Sequence, residues 1–222
     1  MILYPVCLNI RNQLCVVIGG GTVAERKVAG LVEACAKVKL ISPGLTPALR
    51  MLADDNCIDW QQKHYTTGDL AGAMLVFAAT DKRDVQEAVF SEAQKNGQLV
   101  NVIDEPEKCA FQVPAVVRRG DLVLAVATSG KSPAVAAWIR RQLENSYGPE
   151  YEYLINIMAE LRHQVLTSDL GPLDRKMVFK NILHKDIIQW IREEKWDHLR
   201  KHLRKVLGKE VDFDISQPGR DI

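Results

Sequence analysis

The chain has 222 residues, of which 47% are hydrophobic and 26% charged, and this composition is typical of a globular protein with one large domain or two smaller ones. Its 29 basic residues almost balance its 28 acidic residues, so we expect no nucleic-acid or membrane partner attracted by net charge. The five cysteines are scattered without a C-x-x-C pair, which indicates reduced thiols in a cytoplasmic protein rather than a disulfide framework. No apolar run approaches the roughly 18 residues that a spanning helix requires, and no signal peptide is apparent.

Residues 1–110 alternate between strand-like and helix-like segments. We predict strands at 14–18, 38–41, 58–62, 74–79 and 98–103, and helices at 22–34, 45–52 and 84–95. The segment 74–79 is almost continuously apolar, as expected of a strand buried on both faces. Strands that alternate with helices predict a parallel sheet with right-handed crossovers, and hence an α/β domain of the Rossmann type.

The pattern changes after residue 110. Strand-like runs at 110–117 and 122–127 flank Arg118-Arg119-Gly120-Asp121 and predict an antiparallel hairpin. A helix should follow from Ser132-Pro133 to about residue 145. From Tyr147 onward the apolar spacing is helical, with helices predicted at 176–183, 185–194 and 196–207, a stop at Gly208 and a frayed tail from Lys209. We therefore predict a hairpin and helix segment for dimerisation at 111–146 and a small all-helical domain at 147–222.

A glycine cluster follows the first predicted strand and leads directly into a helix. Gly19, Gly21 and Ala24 fit the pattern G-x-G-x-x-G/A, which places a dinucleotide pyrophosphate on a helix N-terminus. Gly19 would allow the tight turn, Gly21 would let the backbone approach the phosphates, and Ala24 would let helix and strand pack closely. A turn that serves only the backbone is the alternative. We favour a cofactor site that includes Thr22 and Val23.

Two other strand ends supply cofactor-site candidates, because the carboxyl ends of parallel strands face the ligand crevice. The second strand ends in Ser42-Pro43, without an acid for a ribose 2′-hydroxyl and without an arginine cluster for a 2′-phosphate. Ser42 could donate to the ribose, and we favour NAD over NADP. The fourth strand ends in Thr80-Asp81, which could bind the nucleotide, cap the helix that follows, or do both.

Asp104 ends the fifth strand at the same edge of the sheet, where a nicotinamide is expected. A carboxylate there could act as a general base in catalysis. The alternative is a loop aspartate that caps a turn before Glu105-Pro106.

The segment between residues 111 and 145 is locally basic. Its basic residues are Arg118, Arg119, Lys131, Arg140 and Arg141, against the acidic Asp121 and Glu144. This excess is either a solvated face or a pocket for an anionic ligand, because arginine binds carboxylates through two hydrogen bonds. The stretch Thr128-Ser129-Gly130-Lys131-Ser132 also precedes a helix N-terminus, which favours anions.

His198 and His202 have the i,i+4 spacing of metal ligands on a helix. There is no H-E-x-x-H motif and no evident third ligand. Leu199, Leu203 and Leu207 supply the apolar stripe of the same helix, so we expect the two histidines to be solvated and predict no metal site.

Taken in order, these segments resemble the precorrin-2 dehydrogenase/sirohydrochlorin ferrochelatase family, the N-terminal module of siroheme synthase. The matching motifs are Tyr4-Pro5-Val6 with Leu8, Val17-Ile18-Gly19-Gly20-Gly21-x-Val23-Ala24-x-Arg26-Lys27, Ala78-Ala79-Thr80-Asp81, Asn101-Val102-Ile103-Asp104, Phe111-x-Val113-Pro114-Ala115, Arg119-Gly120-Asp121-Leu122 and Ala127-Thr128-Ser129-Gly130-x-Ser132-Pro133. The C-terminal helices match only in general character. Gln86 stands where the family pattern has asparagine.

The resemblance implies a homodimer that oxidises precorrin-2 to sirohydrochlorin with NAD⁺, usually followed by insertion of Fe²⁺ as a second substrate. It places the essential aspartate on Asp104 and a serine-rich loop on Thr128, Ser129 and Ser132. Because the tetrapyrrole carries many carboxylates, we expect substrate contacts from Arg118, Arg119, Thr128, Ser129, Lys131 and Ser132. The alternatives are a dehydrogenase without chelatase activity and a non-catalytic subunit that senses NAD(H).

Overall fold

A computed structural model describes residues 3–168 and 170–208. The chain divides into two compact units, Met1–Val113 and Pro114–Ile222, and the predicted further division at residue 146 stays a prediction. The predicted frayed tail from Lys209 lies outside the described residues. Among the residues described, no helix is both long and apolar enough to cross a membrane.

The first unit is a parallel sheet with helices on both faces. Its elements are β1 (Leu14–Ile18), α1 (Thr22–Glu33), β2 (Lys37–Ile41), α2 (Pro47–Asp54), β3 (Asp59–Gln61), β4 (Leu75–Ala78), α3 (Arg83–Lys95), β5 (Leu99–Val102) and a 3₁₀ turn at Pro106–Lys108. The strand order is β3-β2-β1-β4-β5, and every pairing is parallel. The predicted Rossmann-type domain is therefore confirmed, and the order in which successive strands join the sheet reverses between β1 and β4.

The two faces of this sheet bury two separate apolar cores, because side chains alternate along each strand. Cys15 and Val17 of β1 face a core that includes Ala24 and Val28 of α1. Val16 and Ile18 face the opposite core with residues of α3. All four residues of β4 are buried, as its continuous apolar run predicts.

Helix α2 begins two residues later than predicted. Thr46 is its N-cap, with the Thr46 hydroxyl accepting a hydrogen bond from the Leu49 N–H at 3.3 Å, and Pro47 is the first helical residue. A proline at this position loses no intrahelical bond, so the threonine and proline set the helix start.

The described residues of the second unit form a hairpin and five helices. Its elements are β6 (Ala115–Arg119), β7 (Leu122–Val126), α4 (Pro133–Ser146), α5 (Glu150–Leu166), α6 (Pro172–Ile182), α7 (Ile187–Arg192) and α8 (Trp196–Leu207). The strands pair antiparallel from Ala115↔Val126 to Arg119↔Leu122, so the hairpin is confirmed. Gly208 ends α8 in the left-handed conformation, with φ of 70°, as predicted.

Two boundaries in this region differ from prediction by four residues or more. The first hairpin strand begins at Ala115 rather than at residue 110, because Ala110 bonds back to Val100 at 2.8 Å and Pro114 has no N–H for a strand pairing. Helix α6 begins at Pro172, four residues before the predicted start, with Gly171 as its N-cap. Proline again occupies the first helical position.

Candidate functional site

A cleft of about 830 Å³ lies at the carboxyl ends of the strands of the first unit. Every residue of this unit that the sequence singled out for cofactor binding or catalysis lines it. These residues are Gly19, Gly21, Thr22, Val23, Ser42, Pro43, Thr80, Asp81 and Asp104. The position matches the crevice where parallel α/β sheets bind ligands.

Gly19 and Gly20 are required by close approaches of the backbone. Gly19 has φ of 119°, and a Cβ there would lie 2.1 Å from the carbonyl oxygen of Ala79. A Cβ on Gly20 would lie 2.0 Å from the Gly44 carbonyl oxygen. The pattern G-x-G-x-x-G/A does not require a glycine at position 20. Glycine is needed there because the loop that follows β2 approaches the Gly20 backbone closely.

Gly21 differs from both neighbours because a Cβ there would meet no protein atom within 4 Å. It is the N-cap of α1, and no side chain caps this helix end. The absence of a side chain therefore leaves open space in front of a helix N-terminus, where backbone N–H groups and the helix dipole favour an anion. These features fit the pyrophosphate of a dinucleotide.

Ser42 is buried at the end of β2, and its hydroxyl donates to the Gly44 carbonyl at 2.7 Å. Donation to a ribose would therefore replace this internal hydrogen bond. Nearby, the Thr46 hydroxyl donates to the Glu25 carboxylate at 2.6 Å. Both contacts shape the loop that forms this wall of the cleft.

Thr80 and Asp81 form another wall, between β4 and α3. The Thr80 hydroxyl accepts from the Lys82 N–H at 3.3 Å, and the Gln86 amide donates to the Thr80 carbonyl at 2.6 Å. The N-cap of α3 is Lys82, without a capping side chain, so the alternative that Thr80 or Asp81 caps this helix is wrong. Gln86 instead fastens the first turn of α3 to the end of β4.

Asp104 lies two residues beyond β5, exposed in the cleft wall with φ of 58°. Aspartate is one of the few residues that adopt this left-handed conformation readily. The next turn has Glu105 as its N-cap and no capping side chain, so Asp104 does not serve as the cap. Its carboxylate has no hydrogen bond or ion pair with any described residue, which leaves it available to a ligand.

Sequence reasoning missed the loop after β3, which brings Lys63, His64 and Tyr65 into the cleft wall. Buried Glu92 of α3 holds this loop, accepting hydrogen bonds from the Tyr65 hydroxyl at 2.5 Å and the Gly68 N–H at 2.9 Å. Burial raises the pKa of Tyr65, and the bond to Glu92 raises it further. The signal available beforehand was Glu92 itself, an acid on the apolar face of a predicted helix.

In the second unit, Arg118 and Arg119 are neighbours on β6 and therefore point to opposite faces of the hairpin. Arg118 is exposed. The Arg119 guanidinium donates to the carbonyls of Arg118 and Glu144, at 2.7 and 3.2 Å. Arg140 pairs with the Glu144 carboxylate. Part of the predicted basic excess is thus engaged within the unit itself.

The loop before α4 presents the other candidates. The Thr128 hydroxyl accepts from the Ser132 N–H at 3.2 Å, and the Ser132 hydroxyl caps α4 by accepting from Val135. Ser129 has φ of 52°, and neither Ser129 nor Lys131 has a side-chain partner in the part of the chain that the structure describes. These two side chains are the ones open to a ligand.

The predicted i,i+4 histidine pair lies on α8. His202 contacts the carbonyl oxygens of Asn181 and Ile182 at 3.1 and 3.2 Å through its Nε2, which occupies that atom in a structural role. Within residues 3–168 and 170–208, no group of three or more His, Cys, Asp or Glu side chains could hold a metal ion.

Two family models match the chain in succession. A model described as NAD(P)-binding matches residues 6–115, and one described as sirohaem biosynthesis protein central matches residues 119–146. The fold and cleft of the first unit are therefore those of an NAD(P)-binding domain. The second model matches the part of the second unit that contains most of the hairpin and α4.

The most informative relatives are siroheme synthases. The chain is 38% identical to the siroheme synthase of Nitrosococcus oceani, over 84% of this chain and 40% of the relative. It is 33% identical to that of Methylobacillus flagellatus, over 92% of this chain and 44% of the relative. The chain thus spans less than half the length of these curated relatives. These matches show that the chain belongs to the siroheme synthase family, as the sequence motifs indicate.

A solved structure with the same fold is that of SirC, described as a precorrin-2 dehydrogenase. The likeness covers 93% of this chain and 100% of that one, with a TM-score of 0.78 and 23% identity. It confirms the fold class: a Rossmann-type sheet, a hairpin with a helix, and C-terminal helices.

Proposed function

We propose that this protein binds NAD in the cleft of its first unit and oxidises precorrin-2 to sirohydrochlorin in siroheme biosynthesis. The observation that carries the proposal is the presence, in one cleft, of an open helix N-terminus at Gly21 and an unpaired carboxylate at Asp104. The names of the relatives support the same substrate class. We assign NAD rather than NADP, and a cytoplasmic location.

Two groups of the chain would have separate roles in this oxidation, one in binding the cofactor and one in accepting a proton. The N-terminus of α1, with Gly21, Thr22 and Val23, would bind the pyrophosphate, and NAD⁺ supplies the acceptor for the hydride. Asp104 would accept the proton that leaves the tetrapyrrole, so that the substrate loses one hydride and one proton. A carboxylate in this position is suited to act as a base that contacts the substrate.

We further assign insertion of Fe²⁺ into sirohydrochlorin to the same protein. The macrocycle nitrogens bind the iron as the pyrrole protons leave, so the protein needs a proton acceptor rather than a fixed metal site. Asp104 is the candidate for this acceptor as well.

Contacts to the tetrapyrrole carboxylates are assigned to the second unit, at Arg118, Arg119, Thr128, Ser129, Lys131 and Ser132. Ser129 and Lys131 are the strongest of these candidates, because neither side chain has a partner among the described residues. Arg119 would contribute only if it gave up its bonds to the backbone carbonyls.

One anaerobic experiment tests the proposal. The protein is incubated with precorrin-2 and NAD⁺, NADH is followed by absorbance, and Fe²⁺ is then added. NADH formation followed by siroheme supports both activities. NADH without siroheme formation above the uncatalysed rate indicates a dehydrogenase alone. NAD⁺ binding in calorimetry without NADH formation would replace the proposal with a sensing role.

A further inference from the structure

Cys109 follows the turn that carries Asp104, and its side chain contacts the backbone of that turn. The chain leaves the sheet after β5, passes through Asp104 and the 3₁₀ turn Pro106–Lys108, and returns at Cys109. Cys109 is half-buried and has extended backbone angles, φ −92° and ψ 119°. The two ends of the excursion are anchored to the sheet by the Ile103 N–H on the Ala78 carbonyl and the Ala110 N–H on the Val100 carbonyl, at 3.1 and 2.8 Å.

The Cys109 sulfur connects the two ends of this excursion. It lies 3.2 Å from the Val102 carbonyl oxygen and 3.4 Å from the Glu105 carbonyl oxygen, and either oxygen can accept the single thiol proton. It also accepts from the Val102 N–H at 3.3 Å and from the Asn101 side-chain amide at 3.5 Å. One sulfur atom therefore contacts the backbone on both sides of Asp104.

The thiol has the protonation state that these contacts need. Burial is the largest influence on its pKa and raises it, outweighing the hydrogen bond from Val102 and the nearby Lys27 ammonium, which lower it. Cys109 therefore remains a thiol at neutral pH and can donate to a carbonyl. Among the described residues, the side-chain hydrogen bonds to the backbone of this turn come from Cys109, whereas the Asp104 carboxylate has no described partner of its own.

We propose that Cys109 is a positioning residue for Asp104, whose thiol holds the left-handed turn that directs the carboxylate into the cleft. This inference rests on the proposed function, in which Asp104 receives a proton from the tetrapyrrole. The expected consequence is kinetic. Loss of the thiol contacts leaves cofactor and substrate binding intact but misplaces the base.

The test compares Cys109→Val, which fills the same space in an extended backbone without hydrogen bonding, with Cys109→Ser, which keeps a donor and an acceptor. We expect Cys109→Val to lower kcat for precorrin-2 oxidation by roughly ten- to a hundredfold, as for a misplaced catalytic group. KM for precorrin-2 and Kd for NAD⁺ should stay within about twofold. Cys109→Ser should recover most of kcat, and Cys57→Ala, an exposed cysteine in another turn, should match the wild type.

A double-mutant cycle decides whether Cys109 acts through Asp104. In the Asp104→Ala background, Cys109→Val should cause no further loss of kcat, because the group that it positions is gone. An unchanged kcat in the single variant, or an equal loss in both backgrounds, would overturn the inference.

Failure of the proposed function gives a different result. If the wild-type protein does not oxidise precorrin-2, the function is rejected, and amide hydrogen exchange at residues 102–108 tests the positioning role instead. Cys109→Val should accelerate exchange at Glu105 and Lys108, whose N–H groups bond within the turn. Unchanged exchange there would reject the positioning role independently of activity.

Discussion

The backbone conformation of Asp104 places it in the cleft wall, and its carboxylate has no partner among the described residues. A substitution of Asp104 should therefore remove the carboxylate without breaking other contacts. Asp104→Ala removes the carboxylate, and we expect the rate of NADH formation from precorrin-2 to fall roughly 10²–10⁴-fold, the usual loss for a general base. NAD⁺ affinity should barely change, because the base contacts the macrocycle. Stopped-flow absorbance and calorimetry measure the two quantities.

Glu107→Ala is the matched control for Asp104→Ala, because Glu107 is an exposed acid in the same excursion of the chain. Its rate should equal that of the wild type. Iron insertion into supplied sirohydrochlorin should also fall in Asp104→Ala if one carboxylate serves both reactions. Chelation that survives while oxidation is lost would require a separate proton acceptor, and two intact activities would remove Asp104 from the mechanism.

Gly21 allows an equally direct test of the cofactor site. Gly21→Asp places a side chain and a negative charge where the pyrophosphate should lie, and we expect calorimetry to show NAD⁺ binding largely lost. Gly30→Asp is the control, because a Cβ at Gly30, on the same helix, also meets no protein atom within 4 Å. Equal NAD⁺ affinity in the two variants would reject the assignment. NADP⁺ should bind the wild type within about tenfold of NAD⁺, or about 1.4 kcal/mol, because no acid follows β2.

Helices α5 and α7 are joined by a partly buried ion pair that should make the second unit sensitive to acid. Arg192 contacts the buried Glu150 carboxylate at 2.5 Å, and a Cβ on Gly148 would lie 2.3 Å from the same carboxylate, so glycine gives it room. Burial raises the pKa of Glu150, but hydrogen bonds from Arg192 and from backbone N–H groups outweigh it and the pKa is lowered overall.

The sign of the pH effect follows from this lowered pKa. Glu150 stabilises the fold above its unfolded pKa of about 4.3, and the contribution is lost as pH falls through the lower folded pKa. Glu150→Gln should therefore be less stable than the wild type at pH 7, with a difference that shrinks below about pH 4. Urea unfolding across this range measures it. Glu160→Gln, at an exposed position of α5, is the control, and a pH-independent difference for Glu150→Gln would contradict the assignment.

The hairpin is the surface through which we expect two copies of the protein to associate. Helix α4 packs against the hairpin, but part of the hairpin surface remains exposed. Val116 pairs with Ala125, and Arg118 with Val123, on the face opposite Val117. Val123 is 38% exposed, and Trp138 of α4 is 54% exposed. An isolated hairpin is marginally stable, and the face that carries Val123 is not fully covered, so we expect a second copy to pair here around a two-fold axis.

Light scattering at micromolar protein should therefore give the mass of a dimer. Val123→Glu should shift the mass towards the monomer, because it buries a charge in the expected interface. Leu173→Glu changes another exposed apolar residue, on α6, and should leave the mass unchanged. A monomer mass at every concentration, or a loss of the dimer only in Leu173→Glu, would refute the assigned interface.

Most of the architecture could be predicted from the residues because its signals are local. Apolar alternation identified the strands, and the pattern around Gly19 identified the glycine turn that lines the cleft. Helix ends were harder, since Thr46 and Pro172 set the starts of α2 and α6 through capping, which periodicity does not register. The first hairpin strand was predicted to start too early, because Ala110 bonds to Val100 within the first unit.

The sequence alone was enough for the fold class, the family, the glycine turn and the position of Asp104 after a strand, because each depends on residue types at a fixed spacing. The tertiary structure decided which of these residues share one cleft, and it showed that Gly20 is constrained by Gly44 and that the Tyr65 loop is held by Glu92. It also showed that the Cys109 sulfur contacts the backbone on both sides of Asp104, at Val102 and at Glu105. Such contacts join segments whose separation along the chain carries no periodic signal, so they arise only when the chain has folded.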